Sequence, residues 1–295
     1  MPADPPRKGH GAASNPPNRF ERLHYEAVAA EDAGFDPEEL APPLDLRFLR
    51  DPSRTIVAHN DSPDLGFDAS INPYRGCEHA CAYCYARPTH EYLGFSAGLD
   101  FETRILVKEE APALLHRALS APSWRPRVVA LSGVTDPYQP IERRLRITRR
   151  CLEVLLAFRN PVGIVTKSRL VARDADLLAE LAAFDAASVS ISVTTLDPLL
   201  QRRMEPRAPR PGLRLAAIEA LARAGGPVGV LVAPVVPGLS EHELPAILQA
   251  AADAGAGHAG YVVLRLPHGV KELFEEWLAR PYPEGRAHAV VRGAA

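Results

Sequence analysis

From Asp61 onward, short apolar runs alternate with stretches of helical period, and this alternation restricts the fold more than any other feature of the chain. Runs at 128–131, 162–165, 228–232 and 261–264 have the length of buried strands, and 188–193 alternates polar with apolar as a strand does. Between them, 145–158, 174–183, 213–224 and 241–254 carry helix-spaced apolar residues, the third closed by Gly225-Gly226. A further strand is expected at 70–72. Strands separated by helices pair in parallel, with a sheet buried on both faces. Periodicity alone gives the class as α/β.

In parallel α/β folds the chemistry gathers at the carboxyl ends of the strands. The first strand runs into Cys77-Glu78-His79-Ala80-Cys81-Ala82-Tyr83-Cys84, which holds three of the chain's four cysteines at the spacing C-x3-C-x2-C. Thiolates grouped in one loop suit an iron–sulfur cluster or zinc. In a four-iron cluster, three thiolates leave one iron without a protein ligand, and an open position is what a reaction centre needs. Zinc with His79 or His90 as fourth ligand is the competing reading, but such sites usually draw on two short pairs of ligands, and no second pair exists. Because a fourth protein ligand would close the open iron, both histidines read better as loop residues.

The other strand ends are polar as well. The second leads into Ser132-Gly133-Val134-Thr135-Asp136, small and rich in oxygen. The third ends in Thr166-Lys167-Ser168, a cation and two hydroxyls suited to a carboxylate. Ser190 and Ser192 on the fourth share a face, and the fifth ends in Ala233-Pro234-Val235-Val236-Pro237-Gly238, whose exposed backbone suits the edge of a purine. Each alone is ordinary turn chemistry; together they surround the cysteine loop.

The C-x3-C-x2-C spacing with Tyr83 before the third cysteine resembles the signature of the radical S-adenosylmethionine (SAM) enzymes. That resemblance implies a partial (β/α)6 TIM-type barrel and a [4Fe–4S] cluster on Cys77, Cys81 and Cys84. It also implies SAM on the open iron, cleaved reductively to a 5′-deoxyadenosyl radical that abstracts hydrogen from a substrate. The electron would come from a flavodoxin- or ferredoxin-type donor. Residues 70–267 resemble more closely the branch related to spore photoproduct lyase, a radical DNA-repair enzyme. The matching pieces are Cys84-Tyr85, Thr135-Asp136, Thr166-Lys167, Ser190-Ile191-Ser192, Glu205-Pro206, Arg214-Leu215-Ala216-Ala217 and Val232-Ala233-Pro234. By that likeness SAM contacts fall to Tyr83, Tyr85, Lys167, Ser190, Ser192 and Ala233, and the strand-end pair Thr135 and Asp136 joins the cofactor-binding set. The lyase carries a hydrogen-donor cysteine near the end of its second strand, where this chain has Gly133 or a neighbour. The fourth cysteine, Cys151, falls inside the helix 145–158 and reads as a core residue.

Composition narrows the setting. Across 295 residues, 46% hydrophobic and 24% charged is ordinary for a soluble globular chain, and no apolar run is long enough to span a membrane. Three bunched cysteines without a disulfide framework point to a reducing cytoplasm. Residues 1–60 are proline-rich and read as a largely irregular arm with short helical turns at 24–33. Residues 61–270 form the barrel, and 271–295 a short C-terminal segment, a candidate truncation, containing an amphipathic helix at 273–278. Related chains continue for several dozen residues past the position of Arg280, so one barrel edge is expected to lack cover. The net charge of −2 exerts no global pull on polyanions. Arg143, Arg144, Arg146, Arg149 and Arg150 form one basic group, and Arg202, Arg203, Arg207, Arg210 and Arg214 another. They leave nucleic acid open as a substrate, while a solvated face paired with Glu142, Glu153 and Glu205 explains them as well. A non-catalytic cluster or zinc adaptor for nucleic acid and an inactive truncated paralogue are the alternatives to an enzyme.

Overall fold

The computed structural model describes Gly11 and residues 46–59, 67–131 and 133–280. The helical turns expected at 24–33, Ser132 and residues 281–295 lie outside these. The expected alternation is realised as β3 (Ala69–Ile71), β6 (Val129–Leu131), α4 (Ile147–Ala157), β7 (Val162–Thr166), α5 (Ala175–Ala182), β8 (Ala187–Ser192), α7 (Pro211–Arg223), β9 (Val228–Val235), α8 (Leu244–Asp253) and β10 (Ala259–Val263). The six strands pair in parallel in the order β10-β9-β8-β7-β6-β3. A seventh strand, β2 (Val57–His59), adds antiparallel to β3 at one edge, so the sheet is an open partial barrel.

Period two in the strands and 3.6 in the helices meet in one core. Val129, Leu131, Ile164, Val189, Ile191, Val228, Val230 and Val232 pack against Leu152 and Leu155 of α4, Leu178 and Leu181 of α5, Ile218 and Leu221 of α7 and Ile247 of α8. Each such side chain contributes about 1.5–3 kcal/mol by leaving water. The opposite face differs from the sequence expectation of a sheet buried on both sides. Val165 is 36% exposed, and Ser188 is exposed while Ser190 is half-buried. Small and polar residues on that face leave it open, as a site requires.

Cys151 is fully buried among Ile147, Leu152 and Leu155, and burial pushes its thiol pKa up. A Cys151→Ala protein is expected to lose about 1 kcal/mol in denaturant unfolding, with its capacity to take up iron and sulfide unchanged.

Sequence reasoning missed a second, three-stranded sheet. β1 (Arg47–Arg50) pairs in parallel with β5 (Arg104–Val107), and β4 (Tyr74–Arg75) lies antiparallel on β5. β1, β4 and β5 span two to four residues and stand outside the strand–helix alternation that marks the parallel strands, so no period reveals them. Both β1 and β2 come from the stretch assigned to the arm. α1 (Leu99–Thr103) and α2 (Ala111–Leu119) flank β5, and α3 (Glu142–Leu145) and α6 (Pro198–Met204) follow strand ends. The expected C-terminal helix is α9 (Val270–Ala279). Its Phe274, Trp277 and Leu278 join Cys81, Ala82, Tyr83, Leu200 and Met204 in an apolar cluster, so α9 dries one side of the cysteine loop. At the free edge, β10 exposes Tyr261, Val262 and Val263.

Candidate functional site

The cysteine loop is held by its backbone from every side. At its entrance Gly76 adopts φ +80°, and a Cβ there would stand 2.9 Å from both the His90 ring and the Phe101 carbonyl. Phe101 O accepts from Cys77 N–H at 2.9 Å, and Ala82 N–H donates to Met204 O at 2.9 Å. Arg87, with no exposed surface, forks onto Cys81 O through Nε (3.1 Å) and Nη2 (2.8 Å). It reaches Ala97 O, Gly98 O and the Glu102 carboxylate as well. Arg207 Nε donates to Glu78 O at 3.0 Å. A charge buried with this many acceptors is fixed in place.

The three thiols lie in a dry, crowded setting. Cys77 and Cys81 are each 7% exposed and Cys84 is half-buried. Burial raises the thiol pKa of all three. Asp136 and the other two sulfurs raise Cys77 further, and Glu205 does so for Cys81. A positively charged group bound among them would relieve that cost. Three thiols in one loop that share one field can each take a separate corner of an iron–sulfur cube and leave the fourth open. His90 stacks on Phe95, its Nε2 lies 2.9 Å from Arg104 O, and burial pushes its pKa down to about 4, so it is structural. His79 Nδ1 lies 3.3 Å from Asp136, while its Nε2 is buried without a partner among the described residues. A group held in the loop could satisfy that atom. The donor set therefore fits a [4Fe–4S] cluster.

Two of the sequence-predicted residues tie the loop to the strand ends. Thr135 Oγ1 donates to Gly76 O at 2.5 Å. Asp136 Oδ1 accepts from Tyr138 N–H (2.9 Å) and Thr166 Oγ1 (2.7 Å), and Oδ2 accepts from Lys167 N–H (2.8 Å) and faces His79. The Asp136 carboxylate thus spends its acceptor positions inside the protein. Its pKa is lowered: burial acts against this, and His79 and the Lys167 and Thr166 hydrogen bonds outweigh it.

Lys167, Ser192, Ala233 and Tyr83 come together. Lys167 Nζ donates to Ser192 Oγ at 2.6 Å and Ala233 O at 3.2 Å, and stands 5.6 Å from the centre of the Tyr83 ring. Behind it sits Glu205, fully buried. Its carboxylate takes hydrogen bonds from Tyr83 Oη, Arg214 Nη2 and Thr194 Oγ1 and lies 3.6 Å from Lys167. Burial alone would raise the Glu205 pKa; Arg214 and Lys167 overcome it and hold it at about 2. Tyr85, 60% exposed, donates its hydroxyl to Gly133 O at 3.0 Å. Ser190 Oγ lies 3.4 Å from His258 Nε2.

Glu205, Arg214, Thr194 and Arg87 were not assigned to the site from sequence. Glu205 and Arg214 belong to the matched pieces, but in sequence they carry no sign beyond surface charge. The basic groups are correspondingly reduced. Arg207 and Arg214 are buried in the site's framework, and Arg149 is bound by Asp174, Asp176 and Glu153.

Comparisons with known proteins bear on the family and the fold. The family model described as Radical SAM superfamily matches residues 71–251. An uncharacterized protein of Mycobacterium tuberculosis is 43% identical over 222 residues, or 75% of this chain, and the chain spans 65% of that relative's length. An uncharacterized protein of Methanocaldococcus jannaschii is 30% identical over 59% of the chain and 62% of its own length. Among solved structures, a mutant of spore photoproduct lyase with bound AdoMet and dinucleoside spore photoproduct aligns at TM-score 0.60 and 18% identity. It covers 80% of this chain and 68% of the lyase, a likeness of fold. The complex of that lyase with dinucleoside spore photoproduct gives 0.59 over the same shares.

Proposed function

The chain belongs to the radical SAM superfamily, and from that premise we propose that Cys77, Cys81 and Cys84 hold a [4Fe–4S] cluster beside a SAM site formed by Tyr83, Lys167, Ser192 and Ala233. When bound, the cluster and SAM supply a 5′-deoxyadenosyl radical, which takes hydrogen from a substrate. The observation that carries this reading is the Lys167 ammonium, held by Ser192 and Ala233 over the Tyr83 ring, one residue from Cys84. Lys167 offers the cation that a SAM carboxylate needs, and Glu205 behind it keeps the lysine oriented. Thr135 and Asp136, whose hydrogen bonds are spent within the protein, act as positioning residues that lock the cysteine loop to β6 and β7. Tyr85 and Ser190 complete the SAM contacts implied by the resemblance. The apolar wall of Leu200, Met204, Phe274 and Trp277 excludes water from the cysteine side.

The electron donor of flavodoxin or ferredoxin type belongs to the same reading. A nucleic-acid substrate gains less from the arginines than their number suggests, since Arg207 and Arg214 are built into the framework and Arg149 is held by carboxylates. The test is anaerobic loading with iron and sulfide, followed by electron paramagnetic resonance of the reduced cluster with and without SAM. A changed spectrum on adding SAM is expected; an unchanged spectrum at saturating SAM would overturn the reading. A Lys167→Met protein is expected to load the same iron but bind SAM at least about tenfold more weakly, as loss of a charged hydrogen bond implies, measured by the same titration.

A further inference from the structure

Gly11 lies 66 positions before Cys77 in sequence, in the arm that the site described above does not use. It is buried, and its neighbours are the cysteine loop itself. A Cβ built on it would stand 2.3 Å from Ala80 O, 2.9 Å from Ala82 N and 3.0 Å from Ala82 Cα. All three are backbone atoms, so no rotamer change makes room; a side chain at position 11 must part the two backbones. The loop has little freedom to move. Ala82 N–H is bonded to Met204 O, and Arg87 fixes Cys81 O between the two alanines. Ala80 has a positive φ of 57°, a conformation alanine adopts only where its surroundings enforce it. Ala80 is 0% and Ala82 2% exposed.

We infer that Gly11 is a positioning residue for the cluster site: its bare α-carbon seats against Ala80 and Ala82 and holds the backbone between Cys77 and Cys84 in its ligand-presenting form. The inference rests on the cluster reading for its consequence, but the contact itself is testable without a cluster. In metal-free protein, hydrogen exchange of residues 77–84 should rise at least about tenfold in a Gly11→Val protein, with exchange in α4 and α7 unchanged. Gly11→Ala should show a smaller increase in the same segment. In protein loaded with iron and sulfide, a ferrous chelator should extract iron at least about fivefold faster from Gly11→Val than from the unsubstituted chain. Should Gly11→Val fail to fold, the smaller Gly11→Ala change carries the test.

Exchange and extraction that match the unsubstituted protein in both variants would overturn the inference. So would a rise spread evenly over α4, α7 and the loop, which would mark general destabilisation. If the unsubstituted chain takes up no cluster, the proposed function fails, while the exchange result still decides the role of Gly11.

Discussion

A Cys81→Ala protein is expected to lose both the cluster and all turnover of SAM, while its fold survives. Three thiolates are the fewest that can hold a cube and leave one iron open, so removing one leaves two irons without protein ligands. The loop does not depend on the thiol for its shape. Its backbone is fixed by Arg87 on Cys81 O, by Met204 O on Ala82 N–H and by Phe101 O on Cys77 N–H. Iron and sulfide content after anaerobic loading should fall to a small fraction of the unsubstituted value, and the thermal midpoint of the metal-free protein should shift by only a few degrees. Because burial raises all three thiol pKa values and a ligand must be a thiolate, loading releases protons and should improve as pH rises. An alanine variant that still cleaved SAM would contradict the ligand assignment.

The second large effect falls on stability. Glu205 is fully buried among Arg214, Lys167, Tyr83 and Thr194. A Glu205→Ala protein keeps the Arg214 guanidinium buried with no carboxylate against it, a loss expected to cost about 3–5 kcal/mol in denaturant unfolding. Removing both charges with Glu205→Leu and Arg214→Met should recover part of this, because the desolvation cost of the pair goes with them. The pH dependence has a definite sign. The folded pKa of Glu205 is about 2 against an ordinary 4.5, so its contribution is present above 4.5 and is lost as pH falls from there toward 2. The integrated effect is on the order of 3 kcal/mol. In Glu205→Gln that acid-dependent component should vanish from the stability profile. A variant within 1 kcal/mol of the parent at neutral pH would show that Glu205 does not bear the charge of this network.

The parts of the molecule legible in sequence are those where one period dominates over enough residues. The last five parallel strands and the helices α4, α5, α7 and α8 announced themselves because Val, Ile and Leu recur at spacings that only one backbone geometry turns to a common face. The cysteine loop was legible because its ligands are local. The framework behind it was not. Arg214 looks like a solvated cation in sequence and Arg87 carries no motif, and only the fold shows each surrounded by buried acceptors. Glu205 was read as a partner for surface arginines, although it sits beneath Lys167. Asp136, carried over as a residue of the cofactor site, turns its carboxylate to Thr166, Lys167 N–H, Tyr138 N–H and His79, so geometry gives it a supporting role. The sheet of β1, β4 and β5 escaped because it stands outside the strand–helix alternation, and the seat of Gly11 on the loop is a long-range contact that leaves no periodic trace.

The most direct test of the central claim is the product of SAM. The chain is loaded anaerobically with iron and sulfide, reduced with dithionite in the presence of SAM, and the mixture separated by chromatography. Formation of 5′-deoxyadenosine, dependent on dithionite and absent from Cys81→Ala, is the expected result. A fully loaded cluster that yields no 5′-deoxyadenosine, or a loop that takes up only zinc, would contradict it.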